Sequence, residues 1–299
     1  MAHALAEPLA QVPERRPTSV RRTSSVDMIG RDDGTLELRG AAADPGGGAE
    51  CRAVVGAGRE LSSLHLRPAV AGADALLGRV VGRGFRAVVD GLCEPGTLPW
   101  VLLSELPVAA LLSGYASLYT GLFPSPIPDT VLAGLPVDIC AGWAAPASFM
   151  VEIRSTREMP TPSGPVSPGD RGGTWHEMPE LLPGSMRRQR LIQRDGDELW
   201  AMFRDSYARD DGVVTVLHEY SVAATLVPDP GGDRIAACVA TPRVLPWAEC
   251  PLAAGSAARL VGHQVPALRA LVKDDLVGTS TCTHLNDLLA SLSQADHLL

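Results

Sequence analysis

The chain reads as an α+β protein of two related units, each an antiparallel sheet of hairpins packed by two to three helices, joined by a Pro/Gly-rich linker. Three observations predict this. Each half opens with a hairpin signal, an Asp-Gly turn between apolar runs: Val26 and Ile29 lead to Asp33-Gly34 and then Leu36 and Leu38, and Leu191 and Ile192 lead to Asp195-Gly196 and then Leu199. Each half closes with apolar residues at helical spacing, from Leu77 to Leu92 and from Leu260 to Val272, followed by a further apolar helix. Between them, Pro160, Pro162, Pro165, Pro168, Pro179 and Pro183 favour extended backbone.

These signals divide the chain into a disordered leader (1–20), a first unit (21–150), a linker (151–186) and a second unit (187–299). The leader holds Pro8, Pro13 and Pro17 but no apolar core of a secretory signal, which predicts a cytoplasmic protein. Leu106 to Phe123 is uncharged and nearly long enough to span a bilayer. Pro107, Ser113, Gly114 and Ser117 within it, Glu105 before it and the lack of basic anchors favour a buried core helix, with no membrane partner. Inside the linker, Trp175-His176-Glu177-Met178 reads as an apolar island covering a neighbouring surface.

In the second unit, Val213 to Val227 alternates with period two, placing Val214, Val216, His218, Tyr220, Val222, Ala224 and Leu226 on one face and Glu219 on the other. A Pro/Gly turn returns the chain through Ile235 to Thr241. Cys250 precedes Pro251, the favoured first helical residue, so a helix is expected there. A last helix after Cys282 carries Leu285, Leu288, Leu289 and Leu292 on one stripe.

Composition narrows the function classes. The chain has 299 residues, is 45% hydrophobic and 20% charged, and carries a formal charge of -8. That balance lacks the basic footprint of a nucleic-acid binder, and the pairs Arg15-Arg16, Arg21-Arg22 and Arg187-Arg188 read as solvated strand-edge charges. No phosphate-binding loop, dinucleotide fingerprint or H-E-x-x-H helix is present, so no nucleotide cofactor is expected. The partner is an unidentified small molecule or protein, and the sequence leaves the oligomeric state open.

Six cysteines without a C-x-x-C pair indicate free thiols. Cys51, Cys93, Cys140 and Cys238 have no ligand-type neighbour in sequence and are expected to be inert packing residues. Cys250 and Cys282 each stand at a predicted helix start, where the dipole favours thiolate. With His218 they form an evenly spaced trio, too widely separated for a local metal loop, so the fold must assemble any site. The leading expectation is a metal site for zinc or iron, held by His218, Cys250 and Cys282, with Glu219 or His284 as fourth ligand or acid–base partner. Two alternatives remain open: a metal-free enzyme in which Cys282 attacks and His218 or His284 deprotonates it, and a non-catalytic interaction or assembly module.

The elements His218-Glu219-Tyr220, Pro246-Trp247-Ala248-Glu249-Cys250, Leu260-Val261-Gly262 and Cys282-Thr283-His284-Leu285 resemble an uncharacterised bacterial family, domain of unknown function 2889, over nearly all of the chain from about Arg187. The likeness departs at Tyr220 and Trp247, where the family has Met and Tyr. A more distant likeness is to the U-type iron–sulfur cluster scaffold fold, which would put His218-Glu219, Cys250 and Cys282 at that fold's three ligand positions. There the first ligand is His in place of Cys and the expected glycine is Glu249. In the first unit Leu102-Leu103-Ser104-Glu105-Leu106 stands where the second has Cys282-Thr283-His284-Leu285, so the first unit is expected to be a degenerate partner that shapes the site.

Overall fold

The computed structural model describes residues 5–121, 123–169 and 173–298. Its strands are β1 (Leu5–Ala6), β2 (Val20–Gly30), β3 (Leu36–Asp44), β4 (Gly47–Val55), β5 (Leu61–Arg67), β6 (Met186–Asp195), β7 (Glu198–Ala208), β8 (Val214–Val227) and β9 (Arg234–Leu245). The helices are α1 (Phe85–Leu92), α2 (Leu98–Leu112), α3 (Gly114–Tyr119), α4 (Asp129–Ala133), α5 (Ser148–Thr156), α6 (Leu268–Asp275) and α7 (Thr283–Ser291). From Cys250 to Leu260, where a helix is expected, the chain forms 3₁₀ turns.

The two expected sheets are one. Among the described residues nine strands lie in the order β1-β9-β8-β7-β6-β2-β3-β4-β5, and every neighbouring pair is antiparallel. Each half contributes a four-stranded meander, and the two meet along β2 and β6, in register from Val20↔Arg194 to Met28↔Met186. Left apart, each meander would present a row of unpaired backbone N–H and C=O groups at that edge; pairing satisfies them.

All the helices that contact the sheet's apolar face leave two hydrophobic clusters with a charged seam between. The first gathers Val26, Met28, Leu38, Leu102, Leu103 and Leu106 under α1 and α2. The second gathers Phe203, Tyr220, Val222, Leu285, Leu288 and Leu289 under α7, with Ile127 and Phe149 from before the expected linker and Ile153 from its start also packed into it. At the seam, Glu105 of α2 accepts from Ser24 Oγ (2.6 Å) and Arg190 Nη1 (3.0 Å), and Arg190 also pairs with Asp287 of α7. Glu105 is 1% exposed, so this carboxylate in an apolar helix is explained by its cationic partner. Leu98–Tyr119 is long and apolar enough to cross a membrane by length and composition; its residues Val101, Leu102, Leu103 and Leu106 are buried in the first cluster.

Three of the six arginines expected to be solvated, Arg22, Arg187 and Arg188, are internal. Arg188 is fully buried, Arg187 pairs with Asp27 (2.5 Å) and Arg22 with Asp44 (2.7 Å), while Arg16 is exposed. An arginine at the middle of a sheet is tolerated because a carboxylate on the adjacent strand offsets its desolvation.

The sheet's second face is polar and carries extended chain. Residues 5–20, expected as a leader, lie against it or its edge: Leu5–Ala6 pairs with β9, and Leu9 bonds Arg204 and Glu219 through its backbone. The proline-rich stretch follows the same face. His176 stands with its ring nitrogens 2.9 Å from Thr23 Oγ1 and 2.8 Å from Ser25 Oγ, so the segment expected as an apolar island docks through a polar contact.

Candidate metal centre

Strand β8 delivers His218 at a break in its pairing. Asp205 of β7 faces His218, the following pair is Ser206 with Val216, and Leu217 is the extra residue of a bulge. Leu217 and His218 therefore both turn to the helix side. Val216, expected on the same face as His218, goes with Ser206 to the other.

Helix α7 delivers the second imidazole. Cys282 is its N-cap residue, with extended backbone (φ −134, ψ 126), and His284 lies in the first turn. The rings of His218 and His284 stack with centroids 4.1 Å apart and planes 20° from parallel. His218 Nδ1 is 3.3 Å from Asp205 Oδ2, and one ligand atom from each of Asp205, His218 and His284 lies within 4.8 Å of the others. Tyr115 of α3 closes one side, its ring edge-on to His218 at 5.0 Å.

Charge around this cluster is balanced by Arg188. Its Nε is 3.1 Å from Asp205 Oδ1, its Nη1 is 3.4 Å from Asp287 Oδ2, and its guanidinium lies over the Phe203 ring at 4.4 Å. Neither Asp205 oxygen has a hydrogen-bonding partner of ordinary geometry among the described residues, although the side chain is fully buried. Burial raises the Asp205 carboxyl above its ordinary range, against the pull of Arg188. Burial, then the neighbouring His218, push His284 well below the usual histidine value, so its imidazole is neutral, the form that ligates metal. Asp287 behaves oppositely: burial works against its charge, but Arg190, Arg86 and Arg188 outweigh it and hold the carboxyl low.

Of the residues expected at the site, His218 and His284 come together and Cys282 adjoins them, with Sγ 4.0 Å from His284 Nδ1. Cys250 lies beyond Tyr220, whose hydroxyl donates to the Cys250 carbonyl at 3.0 Å and also reaches the Cys282 sulfur. Glu219 is placed away from the histidines. It points to the polar face, where Arg204 Nε and the Leu9 amide each donate to it at 2.5 Å, because it neighbours His218 on an alternating strand.

The expectation of helix-start thiolates is corrected. Burial pushes the Cys282 thiol up to about 11 although the N–H groups of Leu285 and His284 pull the other way, and burial raises Cys250 well above the ordinary thiol value. Removing a thiolate from water costs more than one or two aligned N–H groups return.

Asp205 and Tyr115 are not among the residues the sequence singles out, and Arg188, expected as a solvated charge, is instead buried beside Asp205. The available signal for Asp205 was a carboxylate between Phe203 and Tyr207 at period two, on the face that the aromatic residues bury.

Residues 186–297 match a family model described as "Protein of unknown function (DUF2889)". No curated protein matches the chain, and no solved structure does, so the likeness to the iron–sulfur scaffold fold gains no structural support.

Proposed function

We propose that the chain binds one zinc or iron ion between His218, His284 and Asp205. The carrying observation is the mutual approach of their ligand atoms within 4.8 Å, from three separate elements. Two imidazoles and a carboxylate suit either metal and leave coordination positions open. The buried Asp205 carboxylate, ion-paired with Arg188 but without a hydrogen bond of ordinary geometry among the described residues, fits such a group. Relative to the expected set of His218, Cys250 and Cys282, this reading keeps His218, takes His284, expected as fourth ligand or acid–base partner, as a ligand, and adds Asp205.

A bound ion would supply Lewis acidity at a site walled by Phe203 and Tyr115. Arg188 holds Asp205 in place and offsets its charge. A second reading, a metal-free nucleophile, is supported by the 4.0 Å approach of Cys282 to His284, but a thiol raised to about 11 is poorly ionised near neutrality. We further read the first unit as a degenerate relative of the second; the mirrored order of two meanders about the β2–β6 seam supports that relation.

Elemental analysis of anaerobically purified protein tests the centre. Stoichiometric zinc or iron is expected in the wild type and its loss in both His284→Ala and Asp205→Asn. A folded, metal-free wild type that takes up neither metal on reconstitution overturns the proposal.

A further inference from the structure

Four helices and one strand bring three arginines to a single small cavity at the charged seam. Arg86 of α1, Trp100 and Ser104 of α2, Arg190 of β6, Arg269 of α6 and Asp287 of α7 line it, and its volume is about 30 Å³. The first three belong to the first half of the chain and the last three to the second.

Two of the guanidiniums are fixed by one carboxylate. Arg86 Nη2 lies 2.5 Å from Asp287 Oδ1, and Arg190 pairs with Asp287 Oδ2, so both oxygens of that carboxylate are engaged. Arg86 Nε also donates to the Ser104 carbonyl at 2.8 Å. Arg269 is held differently. Its guanidinium lies over the Trp100 ring at 4.5 Å, and its Nη1 is 3.0 Å from Asp90 Oδ1, which accepts from Trp100 Nε1 at 2.8 Å. Among the described residues neither Nη1 nor Nη2 of Arg269 makes a hydrogen bond of ordinary geometry, nor do Arg190 Nε and the Ser104 hydroxyl, although all four atoms are buried.

The wall is therefore rich in donors and poor in free acceptors. A guanidinium donates only and keeps its charge. The acceptors nearby are in use: Asp287 by Arg86 and Arg190, Gln294 Oε1 by Arg22 Nη1 at 3.4 Å, and Glu105, from outside the cavity, by Arg190 Nη1 at 3.0 Å. A water molecule placed here needs acceptors for its own two hydrogens, whereas an anion needs none and accepts from every side. Size narrows the choice further. A water takes roughly 10–15 Å³ of such space, so the cavity admits a particle the size of one or two waters and excludes large organic anions.

We propose that this cavity binds one small monovalent anion, chloride foremost, between Arg86, Arg190 and Arg269. The site is separate from the histidine centre and does not require it. The ion holds α1 and α2 of the first half to α6 and α7 of the second, at the place where the two hydrophobic clusters leave a polar gap.

Urea unfolding of the full chain in mixtures of sodium chloride and sodium gluconate at fixed ionic strength tests this, because gluconate is too large for the cavity. Above the dissociation constant, each tenfold increase in chloride should raise the folding equilibrium constant about tenfold. Arg269→Gln leaves the Asp287 pairs with Arg86 and Arg190 in place and should lose that dependence. Arg259→Gln, at an exposed arginine bonded to Ser280, should keep it. The NMR linewidth of chloride gives a reading without substitution: it should broaden on adding folded wild type and sharpen when bromide competes. A wild type equally stable in chloride and gluconate, a chloride line that the wild type leaves unbroadened, or a folded Arg269→Gln protein with undiminished chloride dependence overturns the site and leaves the histidine centre standing.

Discussion

Two arginine–aspartate pairs, one in each meander, differ in what the fold gathers around the aspartate. Arg188 pairs with Asp205 across β6 and β7, and Arg22 pairs with Asp44 across β2 and β3, in both cases between the first two strands of the meander. The difference is what stands opposite the aspartate on the third strand. Asp205 faces His218, whereas Asp44 faces Gly47 at the very start of β4, where the hairpin turns. In the second half the strands run on past the aspartate, the pair is fully buried, and α7 brings His284 over it. In the first half the hairpin ends there and Asp44 remains partly exposed. Strand length, more than residue chemistry, decides which carboxylate acquires histidine neighbours.

The largest effect that would sharpen this comparison comes from deleting the arginines. Arg188→Ala leaves Asp205 and part of the Asp287 network without their cation in the interior, with an expected loss of about 3–5 kcal/mol. Arg22→Ala, beside a partly hydrated partner, should cost clearly less. Urea unfolding of the two variants measures both; equal losses would break the distinction between a buried pair and a marginal one.

An intermediate effect separates the halves by pH. Glu37 in β3 bonds Arg39 and Arg31 and lies near Arg52, which together lower its carboxyl to about 2 despite burial. It contributes stability above the ordinary carboxylate pKa that disappears as pH falls toward 2. Asp205 has the opposite sign: raised by burial, it favours the fold below the ordinary value and loses that contribution as pH rises through its folded value. Metal-free unfolding midpoints against pH, compared with Glu37→Gln and Asp205→Asn, should therefore diverge in opposite directions. Parallel curves would remove the electrostatic contrast.

The smallest effect is expected at the rim, where Arg16 reaches across to Asp195 and Glu198. Arg16→Ala should lower stability by about 0.2–1 kcal/mol, read from the same urea curves. A loss as large as that of Arg188→Ala would mean the exposed pair anchors the N-terminal segment.

Local signals in the sequence translated well. The Asp-Gly turns form with Gly34 and Gly196 at positive φ, β8 occupies nearly the expected span, and all four leucines of the last helix are buried. Those features depend on residues a few positions apart. The β2–β6 seam and the Asp205–His218 pairing depend on partners brought together only by the fold. The bulge at Leu217 also broke an alternation that looked regular in sequence. The thiol expectation failed on a balance: the helix start was correctly placed at Cys282, but desolvation there exceeds the help its amides provide.

The seam has a consequence for how such a chain is free to diverge. Along β2 and β6 the halves are joined by backbone amides and carbonyls, which nearly every amino acid supplies. Side-chain substitutions in either meander leave that joint's bonding unchanged. Each half can thus change its residues at its own pace and still be held to the other by bonds indifferent to side-chain identity.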